Sequence, residues 1–296
     1  MLTLLLALTI AFFLARAAGD PARQVLGNLA SEQAVAALNK QLGYDRPLVV
    51  QYVSFIGDTL TGNFGESLRY SRSNLTLILE RFPATLQLTA AALLIAIVIG
   101  GLLGLLSALR QGSLLDRIAN FGTLVLLSLP LFWLGLMLAE LFAVRFQLLP
   151  AGGHGEFRHL ILPAVTLSGY VLGQIARLTR ASMISVLREP YIALARAHGI
   201  GATRIAFVHA LRNAALPVVT LIGVQSGMLM SGAVTVEFVF AWPGIGLLTT
   251  DAVLARDVPL VQALVVFGAI MFVAINLIVD ITYAVIDPRT RAPRHG

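Results

Sequence analysis

The sequence predicts an all-α membrane protein with about six transmembrane helices. Of its 296 residues, 57% are hydrophobic and 12% are charged, whereas a soluble domain carries about 25% charged residues. Uncharged runs of about 20 residues, the length that a spanning helix needs, recur along the chain. Such a chain cannot cover itself with polar side chains, so most of its length requires lipid as the solvent.

The first predicted transmembrane helix covers residues 1–18. The apolar run from Leu2 to Leu14 is short, since at about 1.5 Å per residue it does not cross a core about 30 Å thick. The alternative is a signal peptide, but no clear basic segment precedes the run and Ala17-Ala18-Gly19 is only a fair cleavage site. We therefore favour a transmembrane helix. Because Met1 begins inside the run, we expect that a short basic cytoplasmic segment is missing before it.

Residues 19–82 form the most polar segment and are predicted to lie on the external side of the membrane. The pattern from Ser31 to Leu42 predicts a short amphipathic helix with Ser31 as its N-cap. Turns are expected at residues 43–47 and 62–65, where glycine recurs. The segment is too short to bury a sizeable core alone, so we expect it to pack over the helix ends.

The other predicted transmembrane helices lie within residues 83–286, at about 83–109, 118–144, 160–180, 213–237 and 258–284. Arginines follow the second, fourth and sixth helices, and basic residues near the helix ends mark the cytoplasmic side. Both termini and the tail 287–296 are then cytoplasmic. The arginines in question are Arg110, Arg117, Arg177, Arg180, Arg188, Arg196, Arg204, Arg212, Arg289, Arg291 and Arg294.

The cytoplasmic loop 186–212 carries the strongest functional signal. Pro190 is predicted to begin a two-turn helix and Gly199 to end it, and a second helical piece from Arg204 is predicted to end at Pro217. Two turns of helix are unstable alone in water. Its small side chains would allow another protein to approach closely, but an amphipathic helix lying on lipid headgroups is an equal alternative on physical grounds.

Several motifs spread along the chain resemble one family of importers. They are Gly62-Asn-Phe-Gly-Glu-Ser67, Leu178-Thr-Arg-Ala-Ser182, Ala195-Arg-Ala-His-Gly199, His209-Ala-Leu-Arg-Asn213, Phe240-Ala-Trp-Pro-Gly-Ile-Gly246 and Asp287-Pro-Arg289. In this order the motifs resemble ABC-type importer permeases of the dipeptide and oligopeptide (peptide/nickel) binding-protein-dependent transport family. The loop fits the general Glu-Ala-Ala motif of importer permeases at only the glycine, one alanine and one leucine.

The resemblance implies a type I ABC permease core in a bacterial cytoplasmic (inner) membrane. It also implies a homologous second permease subunit, two cytoplasmic ATPase subunits and an external solute-binding protein. The expected solute is a dipeptide or oligopeptide, with nickel complexes and glutathione as alternatives. By the same resemblance, a coupling helix that docks on the ATPase would comprise Tyr191, Ala193, Leu194, Ala195, Arg196, Ala197, His198, Gly199 and Ile200.

The sequence argues against an ATP site or a catalytic site within this chain. A phosphate-binding loop needs Gly-Lys-Ser/Thr, and the only lysine, Lys40, follows Asn39. The metalloprotease motif His-Glu-x-x-His is absent, and no histidine lies inside an apolar run. We therefore predict no catalytic residues, no metal site and no cofactor, with ATP used by the partner subunits. A secondary transporter is disfavoured because the chain shows no internal repeat and its charges lie near the helix ends.

Polar side chains within the predicted helices have two interpretations. Gln174, Gln225 and Asn276 would either line the translocation pathway or hold helices together by hydrogen bonds, and the sequence does not choose between the two. Trp242 is expected at the level of the lipid headgroups, beside a chain reversal at Pro243 and Gly244.

Overall fold

The computed structural model describes residues 2–17, 19, 21–26, 30–41 and 43–286. The all-α prediction is confirmed, since helices joined by short turns account for most of these residues. The α-helices are α1 (Leu2–Ala17), α2 (Pro21–Leu26), α3 (Glu32–Gln41), α4 (Leu48–Leu60), α5 (Asn74–Ile95), α6 (Gly101–Leu109), α7 (Leu114–Ser128), α8 (Leu131–Ala139), α9 (Phe157–Leu187), α10 (Pro190–Ala197), α11 (Ala202–Arg204), α12 (Leu211–Val239), α13 (Ile245–Leu254) and α14 (Val258–Ile286). Three π-helical segments, Ala96–Gly100, Glu140–Arg145 and Ile205–Ala210, continue α5, α8 and α11.

Among the described residues, four helices are long and apolar enough to cross a membrane. They are Asn74–Leu109, Phe157–Leu187, Ala202–Val239 and Val258–Val279. A fifth candidate is the pair of α7 and α8 with its π-helical extension, and the pair is bent by 110°. Helix α1 occupies the place of the predicted first transmembrane helix, but its 16 residues span only about 24 Å.

The bend between α7 and α8 lies inside the segment predicted as one straight helix at 118–144. Leu129 and Pro130 are both extended, with ψ angles of 132° and 136°. The ring of a proline disfavours the helical conformation in the residue before it. The proline also has no N–H to donate a helical hydrogen bond. Pro130 therefore ends α7, and α8 begins directly after it.

The prediction that a helix would end at Pro217 is wrong. Helix α12 contains Pro217, just as α5 contains Pro83 and α9 contains Pro163. Ending a helix within lipid would leave several backbone groups without partners, whereas a proline removes only one hydrogen bond. Continuing the helix through the proline therefore costs less than ending it there.

The chain divides into two compact units. The first comprises residues 1–84 and 243–275 and contains the predicted external segment. One apolar cluster within it joins α5, α13 and α14 through residues such as Ile78, Leu248 and Leu260. Asp257 fastens the turn before α14 to the loop before α5, because its carboxylate accepts hydrogen bonds from the Ser67 hydroxyl at 2.5 Å and the Arg69 N–H at 3.2 Å.

The first unit also contains the predicted amphipathic helix, which the structure forms as α3. The Ser31 hydroxyl accepts a hydrogen bond from the Ala34 N–H at 3.3 Å, as expected of an N-cap. Turns follow at 43–46 and 61–62, close to the predicted positions. Helices α4 and α13 were not predicted. They have 13 and 10 residues, fewer than the run of about 20 apolar residues that marks a spanning helix.

The second unit comprises residues 85–242 and 276–296, and α9 is its centre. Helix α9 packs against α6, α7, α8 and α12. Gly100 and Gly104 allow the close approach to α9, since a Cβ atom on Gly100 would lie 2.8 Å from the Leu172 carbonyl oxygen. On Gly104 a Cβ atom would overlap the Ala176 carbonyl oxygen. The second unit carries the loop that the sequence singled out.

Candidate coupling helix and polar sites of the membrane helices

The loop predicted to dock on a partner contains a short helix with defined ends. Glu189 is extended and Pro190 occupies the first helical position, where the missing N–H is not needed. Gly199 has φ +78° and donates to the Arg196 carbonyl at 3.0 Å, while Ile200 donates to the Ala195 carbonyl at 3.1 Å. These two bonds form a Schellman motif, so α10 ends as predicted at a glycine in the left-handed region.

One face of α10 is fixed to the membrane helices. Ile192 is fully buried in an apolar cluster with Leu105, Met183 and Ala214, which belong to three different helices. Ala195 and Ile200 pack against the same cluster. Sequence reasoning did not include Ile192 in the site, although its spacing of three residues from Ala195 places both on one helix face.

The opposite face of α10 is exposed. The Leu194 side chain is 60% exposed although it is large and apolar. Arg196 and Arg204 are exposed, and neither forms an ion pair with any residue that the structure describes. Of the nine residues predicted to contact the ATPase, seven lie on the exposed face and two, Ala195 and Ile200, are half-buried. The exposed seven are Tyr191, Ala193, Leu194, Arg196, Ala197, His198 and Gly199.

Tyr191 additionally connects α10 to the following membrane helix. Its hydroxyl accepts a hydrogen bond from the Asn213 side-chain amide at 2.8 Å. Asn213 also donates to the His209 carbonyl at 3.3 Å. The loop therefore has a polar attachment to α12 besides its apolar cluster.

An ion pair with a buried carboxylate joins α9, the helix that leads into this loop, to α7. The Arg180 guanidinium donates to both Asp116 oxygens, from Nε at 2.7 Å and from Nη2 at 2.9 Å. The same carboxylate accepts hydrogen bonds from the Ser107 hydroxyl and from the Gly112 N–H at 2.9 Å. The Asn120 side chain donates to it at 2.7 Å. This network joins α6, α7 and α9, and sequence reasoning missed it because it counted Arg180 only as a basic residue of the cytoplasmic loop.

The predicted pathway residues Gln174 and Gln225 contact each other. Gln225 is buried on α12 and its amide donates to the Gln174 side-chain oxygen on α9 at 2.5 Å. This bond joins two helices, as the second interpretation of these residues requires. Asn276 is half-buried on α14. Pathway lining stays a prediction for all three side chains.

Two further polar groups lie deep in the second unit. The buried carboxylate of Glu237 accepts a hydrogen bond from the Thr85 hydroxyl at 2.6 Å. Trp242 is also buried, with its ring centroid 4.7 Å from that of His154. The indole therefore packs against protein, including the loop before α9, and its expected level at the lipid headgroups stays a prediction.

The described residues contain no cluster of three or more histidine, cysteine, aspartate or glutamate side chains that could hold a metal ion. The polar groups described above are instead hydrogen-bonded in pairs or small networks between helices. Such hydrogen bonds orient the helices relative to one another.

Comparison with known proteins supports a transport role over the whole chain. Residues 96–292 match the family described as binding-protein-dependent transport system inner membrane component. Residues 1–89 match the N-terminal region of such membrane components. The glutathione transport system permease protein GsiC of Salmonella choleraesuis is 40% identical over 288 residues, which cover 97% of this chain and 94% of the relative.

Relatives named for peptide transport are equally similar. The di/tripeptide transport system permease protein DppB of Pseudomonas aeruginosa is 40% identical over 305 residues, covering 93% of this chain and 91% of the relative. The dipeptide transport system permease protein DppB of Alkalihalophilus pseudofirmus is 39% identical over 301 residues, covering 92% of this chain and 90% of the relative.

Solved structures agree on the fold. A chain of the MetNI methionine ABC transporter in an inward-facing conformation has a TM-score of 0.62 at 18% sequence identity, covering 72% of this chain and 97% of that chain. A chain of an amino acid ABC transporter has a TM-score of 0.54 at 18% sequence identity, covering 70% of this chain and 92% of that chain. The protein therefore belongs to the family of binding-protein-dependent transport system inner membrane components, and it is a multi-pass membrane permease subunit of an ABC importer.

Proposed function

We propose that this permease forms half of a translocation pathway for dipeptides and oligopeptides. A homologous second permease would supply the other half, an external solute-binding protein would deliver the solute, and two cytoplasmic ATPases would drive transport. The proposal is supported by the relatives named for dipeptide and di/tripeptide transport and by the resemblance of motifs along the chain.

The observation that carries the proposal is the two-sided construction of α10. Its inner face packs into the apolar cluster around Ile192, while its outer face exposes an apolar side chain, Leu194, beside the cationic Arg196. A short helix that is rigidly attached on one side transmits displacement, because packed interfaces do not deform continuously. Docking of an ATPase on the outer face would pass its motion to the attached membrane helices.

In this mechanism the chain itself makes and breaks no covalent bond. ATP binding and hydrolysis take place on the partner subunits, and this chain supplies the lever and one wall of the pathway. The basic side chains of Arg196 and Arg204 would pair with acidic residues of the ATPase, since both are exposed and charge complementarity favours such an encounter.

The docking proposal is tested by Leu194→Asp. The side chain is exposed in the isolated chain, so we expect the permease to fold and insert normally. Placing a charge in an interface that should bury leucine costs at least about 2 kcal/mol, which lowers ATPase affinity about thirtyfold. The measurement is capture of the ATPase subunits by the tagged permease, together with dipeptide-stimulated ATP hydrolysis.

A matched control is Leu60→Asp, at a leucine that is 79% exposed on the predicted external segment. It should leave ATPase capture unchanged. If Leu194→Asp captures ATPase subunits as well as the unaltered chain does, α10 is not the docking element.

The solute proposal requires a separate test, because the glutathione permease is as similar to this chain as the peptide permease is. Uptake of a labelled dipeptide into a strain that depends on this importer should be reduced by excess unlabelled dipeptide. Competition by glutathione alone, or loss of nickel uptake with intact peptide uptake after gene deletion, would reassign the solute.

A further inference from the structure

The first compact unit contains an open cavity that the proposed transport mechanism does not use. Its volume is about 720 Å³, within the range of about 300–1,000 Å³ typical of small-molecule sites. Every lining residue belongs to the first unit, from α1, the turn after α3, α4, the loop before α5 and the first turns of α14. Its charged lining residues are Arg16, Arg46, Asp58 and Glu66.

Arg16 is held in a fixed orientation in the wall of this cavity. Its guanidinium carbon lies 3.8 Å from the centroid of the Tyr44 ring and 4.8 Å from that of Phe12, which is fully buried. Its Nη2 donates to the side-chain oxygen of Gln51. Stacking between two aromatic rings and one hydrogen bond restrict the rotation of a side chain that is flexible on a surface.

Gln51 is itself fixed by its surroundings. It is only 8% exposed, and its amide nitrogen donates to the Tyr44 carbonyl at 3.1 Å and to the Arg46 carbonyl at 2.6 Å. These bonds determine which end of the amide faces Arg16, so the oxygen must accept from the guanidinium. The arginine is therefore positioned before any ligand arrives.

The binding capacity of Arg16 is not used up within the described residues. Its Nε is buried and has no hydrogen-bond partner, and none of the ion pairs among the described residues includes Arg16. A buried donor without an acceptor is unfavourable. The buried Nε is out of reach of a ligand, but Arg16 lines the cavity, and the two terminal nitrogens of a guanidinium can donate parallel hydrogen bonds to the two oxygens of a carboxylate.

The cavity also offers groups that suit a cation. Asp58 and Glu66 line it and are both exposed, so they stay accessible to a ligand from solvent. A zwitterion with a carboxylate and an ammonium group would therefore meet an opposite charge for each of its ends. The side chains of Phe12, Tyr44, Phe55 and Phe64 contribute apolar surface to the same lining.

We propose that this cavity is a binding site for a small zwitterionic peptide, with Arg16 binding its C-terminal carboxylate and Asp58 or Glu66 its ammonium group. The inference rests on the proposed function for the choice of peptide as ligand. It adds a solute site on this chain, lined by α1, α4, α14 and loops of the predicted external segment.

The absence of cysteine from the chain provides a direct test by solvent accessibility. Ser54 lines the cavity, whereas Gly57 on the same helix does not and has open space for a side chain. Ser54→Cys and Gly57→Cys permeases are assembled with their partner permease and ATPases but without binding protein. The rate at which a methanethiosulfonate reagent modifies this chain is then measured by mass spectrometry.

We expect alanyl-alanine to slow modification of the Ser54→Cys chain and to leave the Gly57→Cys chain unaffected. The C-terminal amide of the same peptide lacks the carboxylate, so its apparent affinity should be lower by about tenfold or more. In the Ser54→Cys background, Arg16→Gln should make the peptide and its amide protect the cysteine equally well. Arg16→Lys keeps the positive charge but loses the paired donors of the guanidinium. It should therefore retain part of the difference in protection between the peptide and its amide.

If replacement of Arg16 prevents folding, variants of the exposed lining residues Asp58 and Glu66 still test the proposal. Asp58→Asn combined with Glu66→Gln should weaken protection by alanyl-alanine but not by its N-acetylated form, which has no ammonium group. Equal protection by the peptide and its amide would overturn the inference, as would protection that requires the binding protein.

Parallel uptake measurements separate this inference from the proposed function. If the assembled importer takes up alanyl-alanine while the Ser54→Cys chain shows no protection, the cavity site is wrong and the transport proposal stands. If protection depends on the carboxylate but no peptide is taken up, the cavity site is supported and the transport proposal fails.

Discussion

At the scale of single residues, Arg180 and Asp116 join α9, the helix that leads into the coupling loop, to α7. Asp116 is only 4% exposed, and its two oxygens accept bonds from Arg180, Ser107, Gly112 and Asn120. A buried carboxylate is stable when each oxygen has donors, and costly when its cationic partner is removed.

Removing either member of this pair should destabilise the permease. We expect Asp116→Ala to lower the free energy of unfolding by about 3 kcal/mol, because it leaves the Arg180 guanidinium without its partner. Arg177→Ala, at an exposed arginine of the same helix, should change it by less than about 0.5 kcal/mol.

The pair is best measured as a double-mutant cycle from thermal unfolding of the complex in detergent. Asp116→Ala combined with Arg180→Ala should be less destabilising than the sum of the two single changes. Additive effects would show that the two side chains do not interact, contrary to the geometry.

Sequence reasoning predicted part of the site at this scale. The end of α10 at Gly199 was predictable, since glycine tolerates the left-handed backbone that a helix end requires. The partnership of Arg180 was not, because Asp116 lies 64 positions away along the chain and one sequence alone shows no long-range contact. For the same reason Ile192, the anchor of α10, could not be told apart from the residues of the exposed face.

At the scale of helices, close packing of α6 on α9 depends on Gly104. A Cβ atom there would lie 2.7 Å from the Thr179 Cβ and 3.1 Å from the Arg180 N, besides overlapping the Ala176 carbonyl oxygen. Backbone atoms cannot rotate away as a side chain can, so the two helices would have to separate. A Cβ on Gly101, in the same helix, would meet no atom within 4 Å.

Two alanine substitutions in this helix should therefore act in opposite directions. Gly104→Ala should destabilise the permease by about 1–3 kcal/mol through overpacking. Gly101→Ala should stabilise it by about 0.5–1 kcal/mol, since glycine is unfavourable in a helix interior. Thermal unfolding midpoints of the two variants in detergent check both signs, and a loss of stability with Gly101→Ala would contradict the packing described for α6.

Prolines limited what the sequence could predict about the helices. The break at Pro130 was missed and an end at Pro217 was wrongly expected, although the two residues have the same intrinsic chemistry. The difference lies in their surroundings, since Pro130 is extended at the start of α8 while α12 runs through Pro217. Local propensity alone cannot decide between a kink and a break.

At the scale of the whole molecule, the predicted orientation places α10 in the cytoplasm and α4 outside. The prediction rests on the arginines that follow alternate membrane helices. Most ends of the long helices could be predicted to within a few residues, because an apolar run of spanning length is a strong signal. Helix α5 begins at Asn74 rather than near residue 83, since Glu80 and Arg81 do not prevent a helix from extending beyond its apolar part.

Labelling of intact cells tests this orientation without background from native cysteines, since the chain has none. A membrane-impermeant maleimide should modify Gly57→Cys from outside. It should modify Ala197→Cys, which is exposed on α10, only after the membrane is opened. Labelling of Ala197→Cys in intact cells would reverse the assignment and remove α10 from the side where ATP is available.

The central claim is that this chain moves peptides only as part of an ATP-driven assembly. The most direct measurement is uptake of a labelled dipeptide into proteoliposomes that contain this permease, its partner permease and the ATPases, with binding protein added outside and ATP enclosed. We expect accumulation that stops when ATP, the ATPases or the binding protein is omitted. Leu194→Asp should reduce it, in line with the weaker ATPase binding expected of this variant. Accumulation of the dipeptide by the permeases alone, without ATP, would contradict the account.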